Sequence, residues 1–376
     1  MTWAQWAGDE LATVRDAGRW RQLRPLDGRG PEAVLDGRPV ISFASNDYLG
    51  LTTHPSVVAA AHDALDRWGS GAGSARLIVG SRPIHHELEE AIADWRHTER
   101  ALLFPTGYAA NLGVLSALGG PDVTVVSDEL NHASIIDGCR LSRSRVVVYP
   151  HCDLDACERA LVATSGRRIV VTDTVFSMDG DVARVRELAN LCASRDALLM
   201  VDEAHAVLGP EMPVGLDDLA LLRVGTLSKT LGALGGFVAG TSALIDVIIN
   251  RSRPFIFTTA PTPADTAAAL AALAICRGEE GEARRATLRT HIARLRAGHP
   301  SPIVPIMTGD ESSALSAAAI LLDRGLLVPA IRPPTVPVGT CRLRVALSAA
   351  HSGAMVGRLI DALATIGSPN TVPQDS

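Results

Sequence analysis

Lys229 is the only lysine among the 35 lysine and arginine residues of this 376-residue chain. An arginine guanidinium does not deprotonate in a protein, so a neutral primary amine has to come from lysine. Such an amine can form a Schiff base with a carbonyl group and can afterwards move a proton. Hydroxyl residues stand at positions 226 and 228, and three glycines follow within residues 232–236. This setting favours a reactive lysine; the alternative is a single lysine that survived drift in an arginine-rich sequence.

A carboxylate and a histidine follow an apolar run upstream of this lysine. Residues 198–201 are continuously apolar and lead into Asp202-Glu203-Ala204-His205. A carboxylate at the end of a buried strand is costly unless it meets a cation or a hydrogen-bond donor. A pyridoxal phosphate site requires a carboxylate at the ring nitrogen and a lysine on the aldehyde carbon. The sequence therefore predicts such a site, with Asp202 and Lys229 in these two roles.

The segment Asp202–His205 also matches the DEAH form of a Walker B strand. That interpretation needs an upstream phosphate loop with a lysine in it, and the only lysine lies downstream, preceded by Ser228 instead of glycine. The formal net charge of -6 also argues against a general nucleic-acid surface. We therefore expect neither a nucleotide-driven motor nor a nucleic-acid partner.

Further segments place polar residues at the ends of predicted strands, where α/β sheets bind their ligands. Residues 106–111 begin a helix after a strand, so Thr106 and the backbone N–H groups could hold a phosphate; an ordinary helix N-cap is the alternative. His132 follows another strand and could stack on a flat cofactor ring instead of being structural. Ser177 follows a third strand and offers a donor. The glycine-rich residues 69–74 are a weaker signal, for an active-site loop or a flexible turn.

The chain between residues 80 and 255 alternates short apolar runs with helical patterns. Several runs are continuously apolar, which is typical of a mostly parallel sheet covered on both faces. The predicted strands are Ala101–Phe104, Val123–Ser127, Arg145–Tyr149, Ile169–Thr172, Leu198–Asp202, Arg223–Thr226 and Gly236–Ala239. The predicted helices between them are Pro83–Arg96, Asn111–Leu118, Leu154–Ala163 and Val185–Arg195. This order predicts an α/β, doubly wound large domain with seven strands.

The pattern changes on either side of that region. An arginine-rich amphipathic helix is predicted within residues 1–25. Later, a smaller α+β domain is indicated by helices at Pro261–Cys276, Glu282–Arg296 and Ser313–Arg324 and by strands at Ile303–Met307 and Cys341–Leu347, with Gly278 and Gly281 breaking the first two helices apart. We expect an N-terminal helical segment over residues 1–40 that packs with the small domain, a large domain over 41–255, and the small C-terminal domain over 256–376. The tail Gly367–Ser376 is predicted to be disordered.

The composition fits an enzyme of a reducing compartment. Six cysteines show neither a CxxC pair nor metal-ligand spacing, so we expect reduced thiols and no metal. The N-terminal residues contain no apolar segment of a signal peptide, and no run reaches the length of a membrane span. A cytoplasmic location and no membrane partner are the expectations.

Taken together, the motifs resemble those of the α-oxoamine synthases, which are fold-type I pyridoxal phosphate enzymes. They cover nearly the whole chain in the family's order: Asn46–Leu51, Gly69–Arg76, Phe104–Asn111, Asn131–Ser134, Val175–Asp181, Asp202–His205, Thr226–Gly232 and Arg332–Pro337. The resemblance implies pyridoxal 5'-phosphate as cofactor and a reaction that joins an amino acid to an acyl-CoA with loss of CO2. It also implies a homodimer with shared active sites.

The resemblance implies roles for individual residues. Lys229 would form the Schiff base and move the Cα proton, Asp202 would pair with the ring nitrogen, and His132 would stack on the ring. The remaining cofactor contacts would come from Gly107, Tyr108, Ser177, His205, Thr226 and Ser228, with Thr258 and Thr259 as candidates from the other subunit. The substrate contacts would come from Arg21, Asn46, Ser70, His132, Arg332 and Thr335. Among these, Arg332 would clamp the amino-acid carboxylate and Arg21 the far carboxylate of the acyl chain.

Within this family, the segment Ala330–Pro337 with its Arg-Pro-Pro-Thr sequence points to the branch that uses L-alanine and pimeloyl-CoA. Two alternatives stay open: a sister branch that uses glycine or serine with another acyl-CoA, and a non-catalytic protein on the same scaffold. Asp173 departs from the family, whose members often carry Glu there, and the neighbouring Arg19 and Arg24 leave the register of Arg21 open.

Overall fold

The structure of the chain is a computed structural model that describes residues 1–213 and 220–366. The tail Gly367–Ser376, predicted to be disordered, lies outside the described residues. In the part of the chain that the structure describes, no helix is long and apolar enough to cross a bilayer.

The N-terminal region contains two helices and three antiparallel strands before the central sheet. Its elements are α1 (Trp3–Asp16), β1 (Leu26–Arg29), β2 (Glu32–Leu35), β3 (Arg38–Ser42) and α2 (Pro55–Trp68), followed by a π-turn at Arg76–Gly80. The expectation that the first helix reaches towards residue 25 is wrong: it ends at Asp16, and Gly18 takes a left-handed conformation with φ of 66° that a continuing helix does not allow. Arg21 therefore lies in the connection to β1.

A seven-stranded sheet forms the centre of the molecule. Its strands are β4 (Arg100–Phe104), β5 (Val123–Asp128), β6 (Arg145–Tyr149), β7 (Arg167–Asp173), β8 (Leu198–Asp202), β9 (Leu221–Thr226) and β10 (Gly236–Gly240). Their order is β4-β10-β9-β8-β7-β5-β6, and β10 alone runs antiparallel to its neighbours. The predicted mostly parallel sheet is confirmed, and every residue of β5 and β10 is buried, as an apolar strand between two helical layers requires.

Helices cover both faces of this sheet. They are α3 (Pro83–Arg96), α4 (Gly107–Leu118), α5 (Ala133–Leu141), α6 (Leu154–Val162), α7 (Val185–Ser194), α8 (Ser242–Arg251) and α9 (Arg253–Ile256). Successive residues of a strand point to opposite faces, so Val125 and Val171 pack in one core cluster, while Val126 and Val170 pack in another. The predicted α/β doubly wound architecture is confirmed.

The C-terminal region contains four helices and four strands, and these strands belong to two small sheets. Its elements are α10 (Pro263–Arg277), α11 (Glu279–Leu295), β11 (Ile303–Gly309), α12 (Glu311–Asp323), β12 (Leu326–Leu327), β13 (Ala330–Ile331), β14 (Cys341–Ala346) and α13 (Gly353–Ile366). The sheets have the orders β1-β2-β3-β12 and β11-β14-β13. Gly281 does not break a helix as predicted: it lies inside α11, where an added Cβ would come within 2.5 Å of the Cys276 carbonyl oxygen. The parallel pairing of β12 with β3 joins the first segment of the chain to the last, whereas the predicted domain boundaries stay a prediction.

Candidate active site

Lys229 lies just past the end of β9 and contacts the histidine that follows β8. Its Nζ atom is 2.9 Å from Nε2 of His205. Burial lowers the pKa of Lys229 below its ordinary value, although Asp202 and Asp173 act in the opposite direction. Burial likewise holds the pKa of His205 well below its ordinary range, with Lys229 adding to the effect. The site therefore presents a neutral imidazole beside an amine that loses its proton more readily than a surface lysine.

A chain of hydrogen bonds continues from His205 to the N-terminal segment after β3. Nδ1 of His205 is 2.6 Å from the hydroxyl of Tyr48, which is fully buried. That hydroxyl is 3.1 Å from Oδ1 of Asn46, and Nη2 of Arg344 donates to the same oxygen at 3.2 Å. Burial raises the pKa of Tyr48 to about 12, so its hydroxyl keeps its hydrogen. The chain therefore links Lys229 to Asn46 through two neutral side chains.

Asp202, the last residue of β8, is held by a side chain from helix α4. Nδ2 of Asn111 donates to its Oδ2 atom at 2.6 Å and also to Oγ of Ser134 at 2.8 Å. The other carboxylate oxygen accepts from the backbone N–H of Ala204 at 2.8 Å. The backbone carbonyl of Asp202 accepts two bonds from Thr174, from its N–H at 2.8 Å and its hydroxyl at 2.9 Å. Strand end and carboxylate are thus both fixed, while Oδ1 of the buried Asn111 has no partner in the described residues.

His132 caps the N-terminus of α5 at the edge of this cluster. Its Nδ1 atom is 2.8 Å from Oγ of Ser134, the hydroxyl that also meets Asn111. Its backbone N–H donates at 2.7 Å to Asp173, which ends β7 beside Asp202 in register. Burial lowers the pKa of His132, and burial together with repulsion from Asp202 raises the pKa of Asp173 well above its ordinary value. The imidazole is neutral, and His132 is exposed to solvent.

The N-terminus of α4 faces the end of β9. Thr226 stands opposite Gly107, where an added Cβ would come within 3.1 Å of the Thr226 side chain. Oγ1 of Thr226 lies 2.7 Å from the hydroxyl of Ser228, which is exposed. Thr106 is the N-cap of this helix, and its hydroxyl accepts from the N–H of Ala109 at 3.0 Å. The N–H groups of Gly107 and Tyr108 have no acceptor within the helix, so they are left as donors at an end with a partial positive charge. The hydroxyl of Tyr108 donates to Asp137 beside it. Gly107, Thr226 and Ser228 thus form a small polar cradle suited to a phosphate.

The other predicted site residues make no side-chain hydrogen bond to this cluster. Arg332 donates to the carbonyl of Gly18 at 2.8 Å and lies 3.7 Å from Glu311. Ser177 meets the cluster only through its backbone carbonyl, which accepts from Nε of Arg344 at 2.6 Å. The remaining residues are exposed or half-buried, without side-chain hydrogen bonds to the cluster: Arg21, Ser70, Thr258, Thr259 and Thr335.

Three contributors to the cluster were not assigned from the sequence. Asn111 lies in the otherwise apolar face of α4, and a buried amide among apolar neighbours was the available signal. Arg344 is buried in β14, where it alternates with apolar residues. Tyr48 sits within a motif whose neighbour Asn46 was assigned instead. The contact partners of Tyr48 and Arg344 lie 157 and 298 residues away in sequence, so no spacing could reveal them.

A second polar cluster lies behind the segment that carries Ser177. Asp128, His151 and Cys152 bring potential ligand atoms within 4.8 Å of one another. Both ring nitrogens of His151 already face carboxylates, Nδ1 at 3.0 Å from Asp128 and Nε2 at 2.6 Å from Asp181. These hydrogen bonds, the one to Asp128 first, raise the pKa of His151 to about 12. The group is therefore an ion-paired imidazolium that ties the Asp181 end of this segment to β5.

This imidazolium makes the stability of the protein pH-dependent. The unfolded histidine titrates near 6.5, so the stabilisation by His151 is complete below that pH and is lost as pH rises towards 12. Above pH 7.5 we expect the wild-type free energy of unfolding to fall with pH more steeply than that of His151→Gln, by about 1.4 kcal/mol per pH unit. Urea titrations at several pH values measure the difference. His62→Gln, at an exposed position of α2, is the control, and equal slopes for wild type and His151→Gln would contradict the ion pair.

The cluster fits pyridoxal phosphate at three points. Lys229 offers an amine with a lowered pKa, Asp202 offers a fixed carboxylate, and the α4 cradle offers donors for a phosphate. His132 is exposed, and Oδ1 of the buried Asn111 has no partner in the described residues. Both residues contact Ser134 and so belong to the same cluster. Chemically, the arrangement can attach a carbonyl compound to an amine, hold an anion and move a proton.

The chain is similar to known proteins over most of its length. The profile described as aminotransferase class I and II matches residues 38–363. An 8-amino-7-oxononanoate synthase of Anaeromyxobacter dehalogenans is 49% identical over 380 residues, covering 96% of this chain and 95% of the relative.

Two solved structures are similar over nearly the whole chain. A serine palmitoyltransferase variant from S. paucimobilis, solved with a bound adduct of pyridoxal phosphate and myriocin, superposes with a TM-score of 0.89 at 30% identity and covers 96% of both chains. An 8-amino-7-oxononanoate synthase from Francisella tularensis superposes with a TM-score of 0.73 at 25% identity, covering 87% of this chain and 96% of the other. These likenesses confirm the predicted fold class.

Proposed function

Because the chain belongs to the aminotransferase class I and II family, and within it to the 8-amino-7-oxononanoate synthases, we propose that it condenses L-alanine with a pimeloyl thioester. The products are 8-amino-7-oxononanoate, CO2 and the free thiol, here CoA, and the reaction serves biotin biosynthesis. Pyridoxal phosphate is the cofactor. The single observation that carries the proposal is the contact of the sole lysine with His205, beside the fixed carboxylate of Asp202.

Each end of the cofactor has residues that would hold it. Gly107, Tyr108, Thr226 and Ser228 would hold the phosphate, and Asp202 would meet the ring nitrogen. His132 would lie against the ring face, with Ser177 and His205 near the ring hydroxyl, and Thr258 and Thr259 of a second subunit would add contacts at the phosphate. When bound, pyridoxal phosphate supplies a carbonyl carbon for amine attachment and a ring that accepts an electron pair from the amino-acid Cα.

The protein residues supply the proton movements and the orientation. Lys229 Nζ, released by the incoming amino acid, takes the proton from Cα of alanine and later returns one to the product. Burial keeps a larger share of this amine neutral than a surface lysine would have. Asn111 holds Asp202 in place, so the charge that favours electron withdrawal needs no rearrangement during the reaction.

The proposed substrate contacts rest on the likeness of this chain to its family. Arg332 would bind the alanine carboxylate, for which its fork geometry suits two parallel hydrogen bonds. Asn46 would lie beside that carboxylate, together with His132. Ser70 and Thr335 would lie near the acyl thioester, and Arg21 would meet the far carboxylate of the pimeloyl chain.

Replacing Arg332 separates substrate binding from chemistry. We expect Arg332→Ala to raise the KM for alanine by about 10- to 100-fold with kcat little changed, because a charge-assisted hydrogen-bonded pair is lost. Initial rates at varied alanine concentration measure this. Arg358→Ala, at an exposed position of α13, is the control. An unchanged KM for alanine would assign the carboxylate to another cation.

A homodimer with shared active sites is part of the proposal. The π-turn Arg76–Gly80 exposes Leu77, Ile78 and Val79, with exposed fractions of 52%, 74% and 68%. The backbone of Ser74, just before it, accepts from Ala260, and Phe257 in the same region is 70% exposed. Four exposed apolar side chains in neighbouring segments support an interface here. Light scattering that gives only the 39.5 kDa monomer would contradict it.

The expectations on domains and location carry over as proposals. The segment 1–40 would form a unit with the small domain 256–376 beside the large domain 41–255, as the shared sheet of β1, β2, β3 and β12 supports. All six cysteines are free thiols, which supports a cytoplasmic location.

The test of the proposed function is the release of CoA thiol by the purified protein. L-Alanine with pimeloyl-CoA is compared with glycine and acetyl-CoA. Preference for the first pair supports the proposal. Preference for the second would keep the cofactor site and move the protein to a sister branch, and a colourless protein that binds no pyridoxal phosphate would refute both.

A further inference from the structure

Tyr48 occupies the middle of the hydrogen-bond chain between Lys229 and Asn46. Its side chain is fully buried, and its hydroxyl is 2.6 Å from His205 Nδ1 and 3.1 Å from Asn46 Oδ1. The hydroxyl has one hydrogen and two possible acceptors. Which acceptor receives it depends on where the ring proton of His205 lies.

A protonated Lys229 fixes one direction of this chain. An ammonium group can only donate, so His205 Nε2 must accept and the ring proton lies on Nδ1. Nδ1 then donates to Tyr48, whose hydrogen goes to Asn46 Oδ1. Arg344, which also only donates, points at the same oxygen and fixes the orientation of the amide.

An amine that is engaged in a covalent bond permits the opposite direction. Nε2 of His205 is then free to carry the ring proton, and Nδ1 becomes the acceptor for Tyr48. The hydroxyl turns from Asn46 to His205, and Asn46 keeps only its bond to Arg344. The two states of Lys229 therefore leave Asn46 with different numbers of hydrogen bonds.

We propose that Tyr48 is a positioning residue that selects the tautomer of His205. Through this tautomer, the change of Lys229 from a protonated amine to a covalently bonded one changes the number of hydrogen bonds that hold Asn46. The assignment of Asn46 to the alanine carboxylate rests on the proposed function. The coupling between Lys229, His205 and Tyr48 does not, since it follows from the donor and acceptor capacities of these groups alone.

The charged groups around Lys229 set the background for a test. Asp202 and Asp173 favour the ammonium form, Arg344 disfavours it, and burial disfavours it most. His205 and His132, both with lowered pKa values, are neutral neighbours. All of these groups are kept when Tyr48 is replaced. A change in the pH at which Lys229 titrates therefore reports the loss of the hydrogen-bond chain through Tyr48.

Because Lys229 is the only lysine, amine-directed labelling of the cofactor-free full chain reports this one side chain, with the N-terminal amine as internal reference. In Tyr48→Phe the hydrogen on Nδ1 of His205 loses its acceptor, so we expect the ring proton to move to Nε2. Nε2 can then no longer accept a hydrogen bond from the Lys229 ammonium. We expect the pH of half-maximal labelling of Lys229 to fall by about one pH unit. Tyr149→Phe, the same change at a buried tyrosine outside the site, is the matched control and should leave it unchanged.

The holoenzyme provides the second readout. We expect Tyr48→Phe to bind pyridoxal phosphate, with its kcat lowered about tenfold, because the imidazole beside Lys229 is no longer held in one tautomer. An unshifted or raised labelling midpoint would overturn the proposal, even if turnover falls, since packing alone would then explain the loss. A shifted midpoint in a protein that prefers other substrates would uphold the coupling and reject only the assignment of Asn46 to alanine.

Discussion

Lys229→Arg is expected to abolish turnover, with a loss of more than about 10⁴-fold, because no other side chain of the protein can supply a neutral amine. The substitution keeps a positive charge beside His205 and Asp202, so the electrostatics of the cluster change little. Only the ability to lose a proton and bond to carbon is removed. The visible absorbance that depends on a covalent link between the cofactor and Lys229 should disappear as well.

Three measurements separate this loss from misfolding. Circular dichroism and the thermal midpoint should stay close to those of the wild type, and the variant should still bind pyridoxal phosphate reversibly through the α4 cradle and Asp202. Arg344, the buried arginine of the cluster, is unchanged in this variant. Turnover within tenfold of the wild type would remove Lys229 from the mechanism altogether.

The sequence was sufficient for the sheet because burial leaves few choices. A strand covered on both faces is almost continuously apolar, as in β8 and β10, and such a run can be recognised in the sequence without knowledge of its partner strands. Helix ends were less predictable. The arginine-rich pattern continues past Asp16, and only the left-handed Gly18 ends α1. Gly281 reads as a break, yet α11 needs it where its backbone approaches Cys276.

Site residues could be predicted where the chemistry allows only one or two residue types. They could not be predicted where the role of a residue depends on its contacts in the folded chain. Lys229 and Asp202 could be assigned because amine and carboxylate chemistry admits few alternatives. Asn111, Tyr48 and Arg344 serve those residues through hydrogen bonds across the fold, and an amide, a phenol or a guanidinium has many other uses. Their roles follow only from the contacts that folding creates.

Asp202 and its neighbour Glu203 show how two adjacent carboxylates take different tasks. Successive side chains of an extended segment point in opposite directions, so Asp202 faces Asn111 and the site while Glu203 faces away from it. Glu203 is buried between two arginines, at 2.6 Å from Nη2 of Arg223 and 3.2 Å from Nε of Arg96. Neutralising each carboxylate should therefore affect a different property of the protein.

Asp202→Asn is expected to lower kcat by about 10³-fold with little loss of stability, since a preorganised charge at the reacting system is removed. The fold can accept the new amide because the unpartnered Oδ1 of Asn111 becomes its acceptor when that side chain flips. Glu203→Gln, the matched change one residue away, should instead cost about 3 kcal/mol or more, because two buried guanidinium groups lose their counter-charge. Its turnover per folded molecule should stay within a few-fold of the wild type. Steady-state rates and urea unfolding of both variants measure the contrast, and equal losses of kcat would mean that Asp202 supports the strand end and not the chemistry.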